Sequence, residues 1–570
     1  MPIRSNYPDV DLRECDIFSF LFDRTDREFP DHKVIFQDAN DTLQPLTFAD
    51  VRGNAIDFGK ALRDNIGLQT GDVIALFTPN SIDVPCVILG ALWAGAIVSP
   101  SNPGYTATEL EYQLRDSGAK YLVTHISILP LARQVCSKVG ISDSHIFLVG
   151  RPSEEKTAPK HWTLFRSNKA WQENQSPARQ LRPKEDLAFL SYSSGTTGKP
   201  KGVQLTHYNV TANIQQMRGQ EPVSWDGSIT VPNIPNAPKS GDKILACLPF
   251  FHIYGLTCLM INPLYTGVHC VLMERFDIES WCQVVDKHRI TVGYIVPPIV
   301  LLLCKHPAVE KYDLSSLRIC SSGAAPLTRE LVEAAFARKK LRVKQGYGMT
   351  ETSPTLFAMR WQDWRDKVGT TGLLVPNMLA KFCTVPEGEN EGAVELPRGE
   401  LGELYVMGPN IFKGYYKNPA ATMACLHDDW FRTGDIGFMD SEGNLTITDR
   451  AKELIKYKGS QVAPAELEGV LVDHELVDDA AVIGVPLPGQ GTEGPRAYIV
   501  RKGGMSAVRK GDEDKIHQWL NSRVANYKKL RGGIVFVDTI PKSPSGKILR
   551  RVLKDSIKKE LQQSDLRGKL

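Results

Sequence analysis

Residues 191–203, Ser191-Tyr-Ser-Ser-Gly-Thr-Thr-Gly-Lys-Pro-Lys-Gly-Val203, place three serines, two threonines, three glycines and two lysines in thirteen positions. That composition suits the holding of phosphate. The glycines let backbone N–H groups turn toward an anion with no side chain in the way. The hydroxyls add donors, and Lys199 or Lys201 adds a compact positive charge. Ahead of the loop, the apolar run Asp186-Leu-Ala-Phe-Leu190 reads as a buried strand. After it, Thr206–Ile214 reads as a helix with Thr206 as N-cap. The expected order is therefore strand, glycine-rich loop, helix, a common geometry for nucleotide phosphates. The loop is not a Walker motif, because Pro200 follows Gly198-Lys199 where a metal-holding hydroxyl is required. Proline also removes an N–H that such a helix start would donate. The plain alternative for a Ser/Gly/Thr-rich stretch is a flexible surface loop.

Further along lie Leu248-Pro-Phe-Phe-His-Ile-Tyr-Gly255, Gly323-Ala-Ala-Pro-Leu327 and Gln345-Gly-Tyr-Gly-Met-Thr-Glu351. Trp430-Phe-Arg-Thr-Gly-Asp-Ile-Gly437, the segment Asp449–Glu468 and Pro541-Lys-Ser-Pro-Ser-Gly-Lys547 complete the series. In this order, and across residues 191–547, these segments resemble the motifs of the adenylate-forming superfamily. That superfamily comprises acyl-CoA synthetases, firefly luciferase and the adenylation domains of peptide synthetases. The subgroup resembled most is that of 4-coumarate–CoA ligase-like enzymes, through Leu-Ile-Lys-Tyr-Lys-Gly459 and Gln-Gly-Tyr-Gly-Met-Thr-Glu351.

The resemblance implies an ATP-dependent acid–CoA ligase. A carboxylate is a poor electrophile; joined to the α-phosphate of ATP it becomes an acyl-adenylate, whose AMP leaving group a thiol can displace. The site must suppress repulsion between two anions and stabilise charge as pyrophosphate departs. By motif match, Ser193, Ser194, Gly195, Thr196, Thr197 and Lys201 would hold the β and γ phosphates. Glu351 would carry Mg²⁺, a hard cation that bridges phosphates and keeps several waters. Thr350 would bond the α-phosphate, with Gly323, Ala324, Ala325, Gln345, Gly346, Tyr347 and Gly348 around the nucleotide. Asp435 would accept from both ribose hydroxyls, with Ile447 and Arg450 nearby. Lys547 would bridge the carboxylate and the α-phosphate oxygens.

For the second half-reaction, the C-terminal domain is expected to swing about Lys452 and present Lys456 and Gln461 to the adenylate. Lys458 would meet a coenzyme A phosphate, and Gly459 would let the pantetheine arm pass. The acyl pocket would be lined by His252, Tyr254, Gly323, Gly348, Pro354 and Thr355, with His252 as a gate rather than a base. Ser353 stands where the plant ligases usually have glycine, and Thr355 where they are often apolar; both count against a hydroxycinnamate substrate. A stand-alone adenylating enzyme that passes its acyl group to a carrier protein is the alternative. A non-catalytic relative would be expected to lack Lys201, Glu351, Asp435 or Lys547, and all four are present.

The elements that must position these residues follow an α/β rhythm. Val73–Phe77, Ala96–Val98, Ile244–Phe251, Cys270–Met273, Gly293–Val296 and Leu317–Ser321 read as strands, and Val84–Ala94 as a helix. Residues 379–407 carry short strand signals and glycines, suggesting a small β-rich subdomain. Beyond Lys452 the pattern resets to an α+β lobe, with a helix from Pro464, a strand at Asp478–Val485 and a helix at Asp514–Ala525. The expected fold class is α/β. A large N-terminal domain of stacked sheets, residues 1–451, binds AMP and the acyl group; a small mobile α+β C-terminal domain, 452–570, completes catalysis.

At 570 residues the chain exceeds what one hydrophobic core supports. With 42% hydrophobic and 23% charged residues it has the composition of a globular protein. A net charge of +3 gives no sign of a nucleic-acid partner. From Glu453 onward, 21 Lys/Arg against 15 Asp/Glu give a local +6, suited to a polyanionic substrate or simply a solvated surface. Eleven cysteines without metal-ligand spacing read as reduced, buried thiols of an intracellular protein. The apolar stretch Tyr254–Met273 is broken by Asn262-Pro263 and His269, which fits a buried helix followed by a strand rather than a membrane span. The N-terminus lacks the apolar core of a signal peptide. Gly568-Lys569-Leu570 is one residue from a peroxisomal address, so a peroxisomal or cytoplasmic location is expected. The expected state is a monomer or weak homodimer.

Overall fold

In the computed structural model, the described residues are 2–150, 159–165, 167, 176–193, 200–220, 230–385, 393–450, 453–457, 460–487, 492–543 and 546–557. Ser194, Gly195, Thr196, Thr197, Lys452, Lys458, Gly459 and the C-terminal tripeptide lie outside them.

Runs of apolar residues bounded by turn formers become strands buried on both faces, as in Val73–Phe77, where every residue is buried. A seven-stranded sheet carries this strand in its interior, in the order Gly414–Tyr415, Lys201–Thr206, Leu187–Ser193, Ile97–Ser101, Val73–Phe77, Tyr121–His125, Ile146–Val149. A nine-stranded sheet runs Leu373–Leu374, Thr355–Ala358, Val343–Gly348, Ile319–Ser322, Val292–Ile295, Lys243–Ala246, His269–Leu272, Val34–Asp38, Leu46–Thr47. Its middle strands are parallel, with Val292 opposite Ile319 and Ile295 opposite Ser322. Helix Asp83–Trp93 is apolar on nearly every face because it packs between layers rather than on the surface. One hydrophobic cluster spans both sheets, from Ile17 to Leu445.

An antiparallel sheet adds the β-rich part: Leu379–Cys383, Gly402–Met407 and Trp430–Met439 pair in turn, and Leu445–Arg450 pairs with Trp430–Met439. The smaller C-terminal domain has its own apolar clusters, one built on Ile455, Leu467, Val482, Ile499 and Leu520 and the other on Ile483, Tyr498 and Leu553. Its sheet joins Val477–Leu487, Thr492–Arg501 and Ile534–Phe536, flanked by helices Pro464–Val472 and Asp512–Asn521. The arrangement is thus mixed α/β, a large N-terminal domain of sheets with a smaller C-terminal domain. All eleven cysteines are free, and eight of them are buried. Among the described residues no helix is long and apolar enough to cross a membrane.

Candidate active site

The phosphate-type loop sits differently from the expectation of strand, loop and helix. Leu187–Ser193 and Lys201–Thr206 form an antiparallel hairpin with Ser193 opposite Lys201, so the loop joins two strands. Helix His207–Gln220 begins only after the second strand. No helix N-terminus therefore follows the loop directly. The reason lies in alternation: Val203 and Leu205 are fully buried while Gln204 between them is not, a period of two that fits a strand. Thr206 nonetheless caps the helix, its Oγ1 accepting from Asn209 N at 3.1 Å while Asn209 Oδ1 accepts from Thr206 N at 2.9 Å.

Four side chains gather at the described ends of this hairpin. The Lys201 ammonium lies 4.8 Å from the centre of the Tyr415 ring. Tyr415 Oη donates to Glu351 Oε1 at 2.9 Å, and Ser193 Oγ donates to the same oxygen at 3.4 Å. Glu351 is only 9% exposed, and its Oε2 accepts no hydrogen bond from a described residue. A buried carboxylate with one oxygen uncommitted, beside a serine hydroxyl and a lysine, fits Mg²⁺ held jointly with phosphate oxygens and water. Burial and the adjacent carboxylate push the Tyr415 phenol up, so it stays a donor. Tyr415 was not singled out from sequence; its signal was the Gly414-Tyr-Tyr416 run, which adds an edge strand with Tyr415 opposite Val203.

A second polar cluster comes from the other two sheets. Tyr347 Oη donates to Asp435 Oδ2 at 2.6 Å, and Arg450 Nε lies 3.2 Å from Asp435 Oδ1. The adjacent strands place these partners, with Asp435 directly opposite Arg450 and Ile447 opposite Gly437. Asp435 is buried, and burial together with its charge drives the Tyr347 phenol far up. Between the clusters, the chain from Gly348 to Thr355 turns sharply. A Cβ on Gly348 would meet Pro354 O at 1.9 Å, so only glycine fits there. Thr350 and Glu351 ride this turn. Ser353 follows at φ +69°, a left-handed conformation that glycine would adopt at less cost, and its Oγ donates to Asn410 O at 2.9 Å. Gln345 holds the Gly323–Leu327 segment by accepting from Leu327 N at 3.1 Å. Ala324 is likewise left-handed, at φ +71°.

A cavity opens beside this turn, and His252, Tyr254, Gly323, Gly348, Pro354 and Thr355 all line it, together with Ala324, Gly346 and Tyr347. Its long wall is helical: Ile253–Gly255, a π-helical stretch Leu256–Ile261, then Asn262–Thr266. Such π segments are rare and gather at functional sites. His252 begins this wall, its Nδ1 accepting from Tyr254 N at 3.4 Å. Burial first, and the charge of Lys547 second, lower the His252 pKa to about 4, so the ring is neutral near pH 7.

Lys547 reaches this place from the C-terminal domain. Beside it, Ser543 N donates to Lys547 O at 2.8 Å and Lys547 N donates to Ser543 Oγ at 3.1 Å. The neighbouring Gly546, at φ +80°, lies against the large domain; a Cβ there would come within 2.7 Å of Pro298. Burial lowers the Lys547 pKa to about 8, Arg450 acts the same way, and Glu453, Asp435 and Glu351 oppose them. One lysine of the small domain thus shares its electrostatic surroundings with both carboxylate clusters and the cavity histidine. In the backbone register of a two-stranded ladder, Ile455–Tyr457 with Ser460–Val462, position 456 pairs with position 461 (Lys456 and Gln461).

Residues 22–416 match the AMP-binding enzyme family, and residues 466–547 match the AMP-binding enzyme C-terminal domain. The chain belongs to the AMP-binding enzyme family. Among relatives in this family, a 4-coumarate–CoA ligase of Pinus taeda is 36% identical over 561 residues, 97% of each chain. A structure of the anthranilate CoA ligase AuaEII with anthranoyl-AMP has a TM-score of 0.81 at 25% identity, covering 97% of this chain and 99% of that one. ATP-bound MatB from Rhodopseudomonas palustris has a TM-score of 0.79 at 28% identity, covering 95% and 99%. The AMP-binding enzyme fold is therefore matched along nearly the whole chain, as the ordered motifs implied.

Proposed function

We propose that the protein is an AMP-forming acid–thiol ligase that makes an acyl-CoA through an acyl-adenylate. The observation that carries this reading is the convergence of Lys547, Glu351, Asp435 and Arg450, drawn from both domains, at one end of a largely apolar cavity. The acid's body enters the cavity and its carboxylate lies near Gly323 and Gly348. ATP lies along the hairpin loop, with Ser193, Lys201 and the loop residues 194–197 on its β and γ phosphates and Thr350 on the α-phosphate. Asp435 turns from Tyr347 and Arg450 to the ribose hydroxyls. Glu351 would hold Mg²⁺, which when bound would neutralise phosphate charge.

The carboxylate oxygen attacks the α-phosphorus, forming a P–O bond as the bond to pyrophosphate breaks. The Lys547 ammonium stabilises the charge that develops on the oxygens between them, where water is scarce and each interaction counts for more. Neutral His252 packs beside the reacting carboxylate and adds no charge of its own to it. In the second step the thiol of coenzyme A attacks the acyl carbon and AMP leaves. For this step the C-terminal domain, divided from the large one at 451/452, rotates about Lys452. It then presents Lys456, Gln461, Lys458 and Gly459. Such closures commonly limit turnover.

The decisive experiment is pyrophosphate release across a panel of aromatic, medium-chain and branched acids, with and without coenzyme A. Steady CoA-dependent turnover with at least one acid is expected. A stoichiometric burst that coenzyme A does not convert to turnover would favour a carrier-protein acceptor, and silence with every acid would overturn the reading. Gly568-Lys569-Leu570 is proposed as a peroxisomal address; a fluorescent fusion that stays cytoplasmic would refute it.

A further inference from the structure

The cavity extends well beyond the reacting carboxylate along two walls. Along the helical wall, Tyr254 stands at the nucleotide end, its Oη donating to Ser321 O at 3.1 Å. Asn262 is eight residues further along that wall, on the order of 10 Å away, because the π-helical stretch between them rises less per residue than an α-helix. On the facing wall, Ile319 opens the strand that leads to Gly323, four residues or about 13 Å along an extended chain. Between these ends Cys258, Val292, Tyr294 and Ile319 supply an apolar lining, while Arg218, Gln220 and Lys344 also line the cavity.

At the deep end the polarity changes. Asn262 lines the cavity, is 9% exposed, and its side-chain amide makes no hydrogen bond to any described residue. Only its main-chain carbonyl is used, accepting from Thr266 Oγ1 at 2.8 Å. Thr266 lines the same end. Buried side-chain amides are nearly always paired, because leaving one unpaired costs a desolvation penalty. An asparagine amide offers two donors and one acceptor oxygen, so it can read either a hydroxyl or a carbonyl.

We propose that Asn262 determines specificity by hydrogen-bonding an oxygen at the far end of the acid's apolar body, on the order of 10 Å from its carboxylate. The preferred substrates are acids with a distal hydroxyl or carbonyl group, on either a chain or a ring. This rests on the acid-ligase reading for what becomes of the acid, but not for its binding. The test compares ω-hydroxydecanoic with decanoic acid and para-hydroxycinnamic with cinnamic acid on the full-length protein. Binding is measured by calorimetry, and kcat/KM by pyrophosphate release. In at least one pair the oxygenated acid is expected to win by about tenfold or more in affinity, because an analogue lacking the oxygen leaves the amide unpaired. Asn262→Leu should erase or invert that ratio while leaving ATP binding unchanged, and Asn262→Ala gives the same readout should the leucine fail to fold. Equal affinities within both pairs, or a preference that survives both substitutions, would overturn the proposal. Selective binding without pyrophosphate release would instead sink the ligase reading and leave the role of Asn262 standing.

Discussion

At the scale of single residues, Lys547 and Glu351 carry the strongest chemical expectations. Lys547 has a pKa lowered to about 8, chiefly by burial, against 10.5 for a free lysine. Its ammonium is the working form, so kcat/KM for ATP should fall as pH rises through about 8. Lys547→Arg should remove that falling limb, since arginine stays charged. Lys547→Ala should cut pyrophosphate exchange by about 10²–10³-fold while sparing thioester formation from supplied adenylate. Exchange near the wild-type rate in the alanine variant would remove Lys547 from the mechanism. Linkage gives the matching stability sign. The unfolded chain binds the extra proton between about 8 and 10.5, so this group's cost to folding is present below that window and relieved as pH rises through it. Glu351→Gln keeps the side chain's volume but not its charge. It should raise the Mg²⁺ needed for half-maximal pyrophosphate release by about tenfold or more, and an unchanged Mg²⁺ titration would free Glu351 of that role.

Among the elements, the hairpin and the first helix after it are separable. Because the loop joins two strands, the cap at Thr206 serves the helix and not the phosphates. Thr206→Ala should therefore cost about 1 kcal/mol of stability, seen in the denaturation midpoint, with KM for ATP unchanged. A large rise in that KM would restore the helix to the phosphate site. Helix Pro464–Val472 presents a different balance. Glu468 accepts from Val482 N at 2.7 Å and pairs with Arg550 at 2.8 Å, yet burial lifts its pKa to about 7, and Asp449 and Glu453 add to the rise. A carboxyl whose folded pKa exceeds its unfolded value stabilises the fold at low pH and loses that contribution as pH rises. The window here runs from 4.5 to about 7. Glu468→Gln should flatten the melting temperature across that window, and an identical pH profile would show that the pair with Arg550 governs instead.

For the whole molecule, the question is how a small domain delivers a lysine to a site built by the large one. The two meet where Gly546 lies against Pro298, and again where Lys305 Nζ pairs with Asp478 Oδ1 at 2.9 Å. The ion pair is solvent-exposed on both sides and contributes little. The glycine contact is the stricter one, since it combines a left-handed backbone with a close approach. Gly546→Val should push Lys547 outward and lower pyrophosphate exchange by about tenfold to a hundredfold. Thioester formation from supplied adenylate should survive. Loss of both half-reactions together would mean that the small domain had unfolded rather than shifted.

The chain alone determined the order of the motifs, and with it the chemistry to look for. Strands such as Val73–Phe77 were legible because a short apolar run between turn formers has few other uses. The buried cysteines and the broken apolar stretch at Asn262-Pro263 were readable for the same reason: composition reports burial directly. What stayed hidden was whatever depends on a partner distant in sequence. The strand Lys201–Thr206 reads in sequence as part of the loop and helix start, because its alternation is short and its pairing lies on Leu187–Ser193. Tyr415 gave little signal until the sheet edge set it beside Glu351, 64 residues away. Asn262 looked like an interruption in a hydrophobic helix, and only packing against strands from another part of the chain turned it into the polar end of a cavity. Sequence spacing fixes local conformation; which side chains meet across a cleft is decided when sheets and domains close on one another, because only then are polar groups removed from water and forced to find partners.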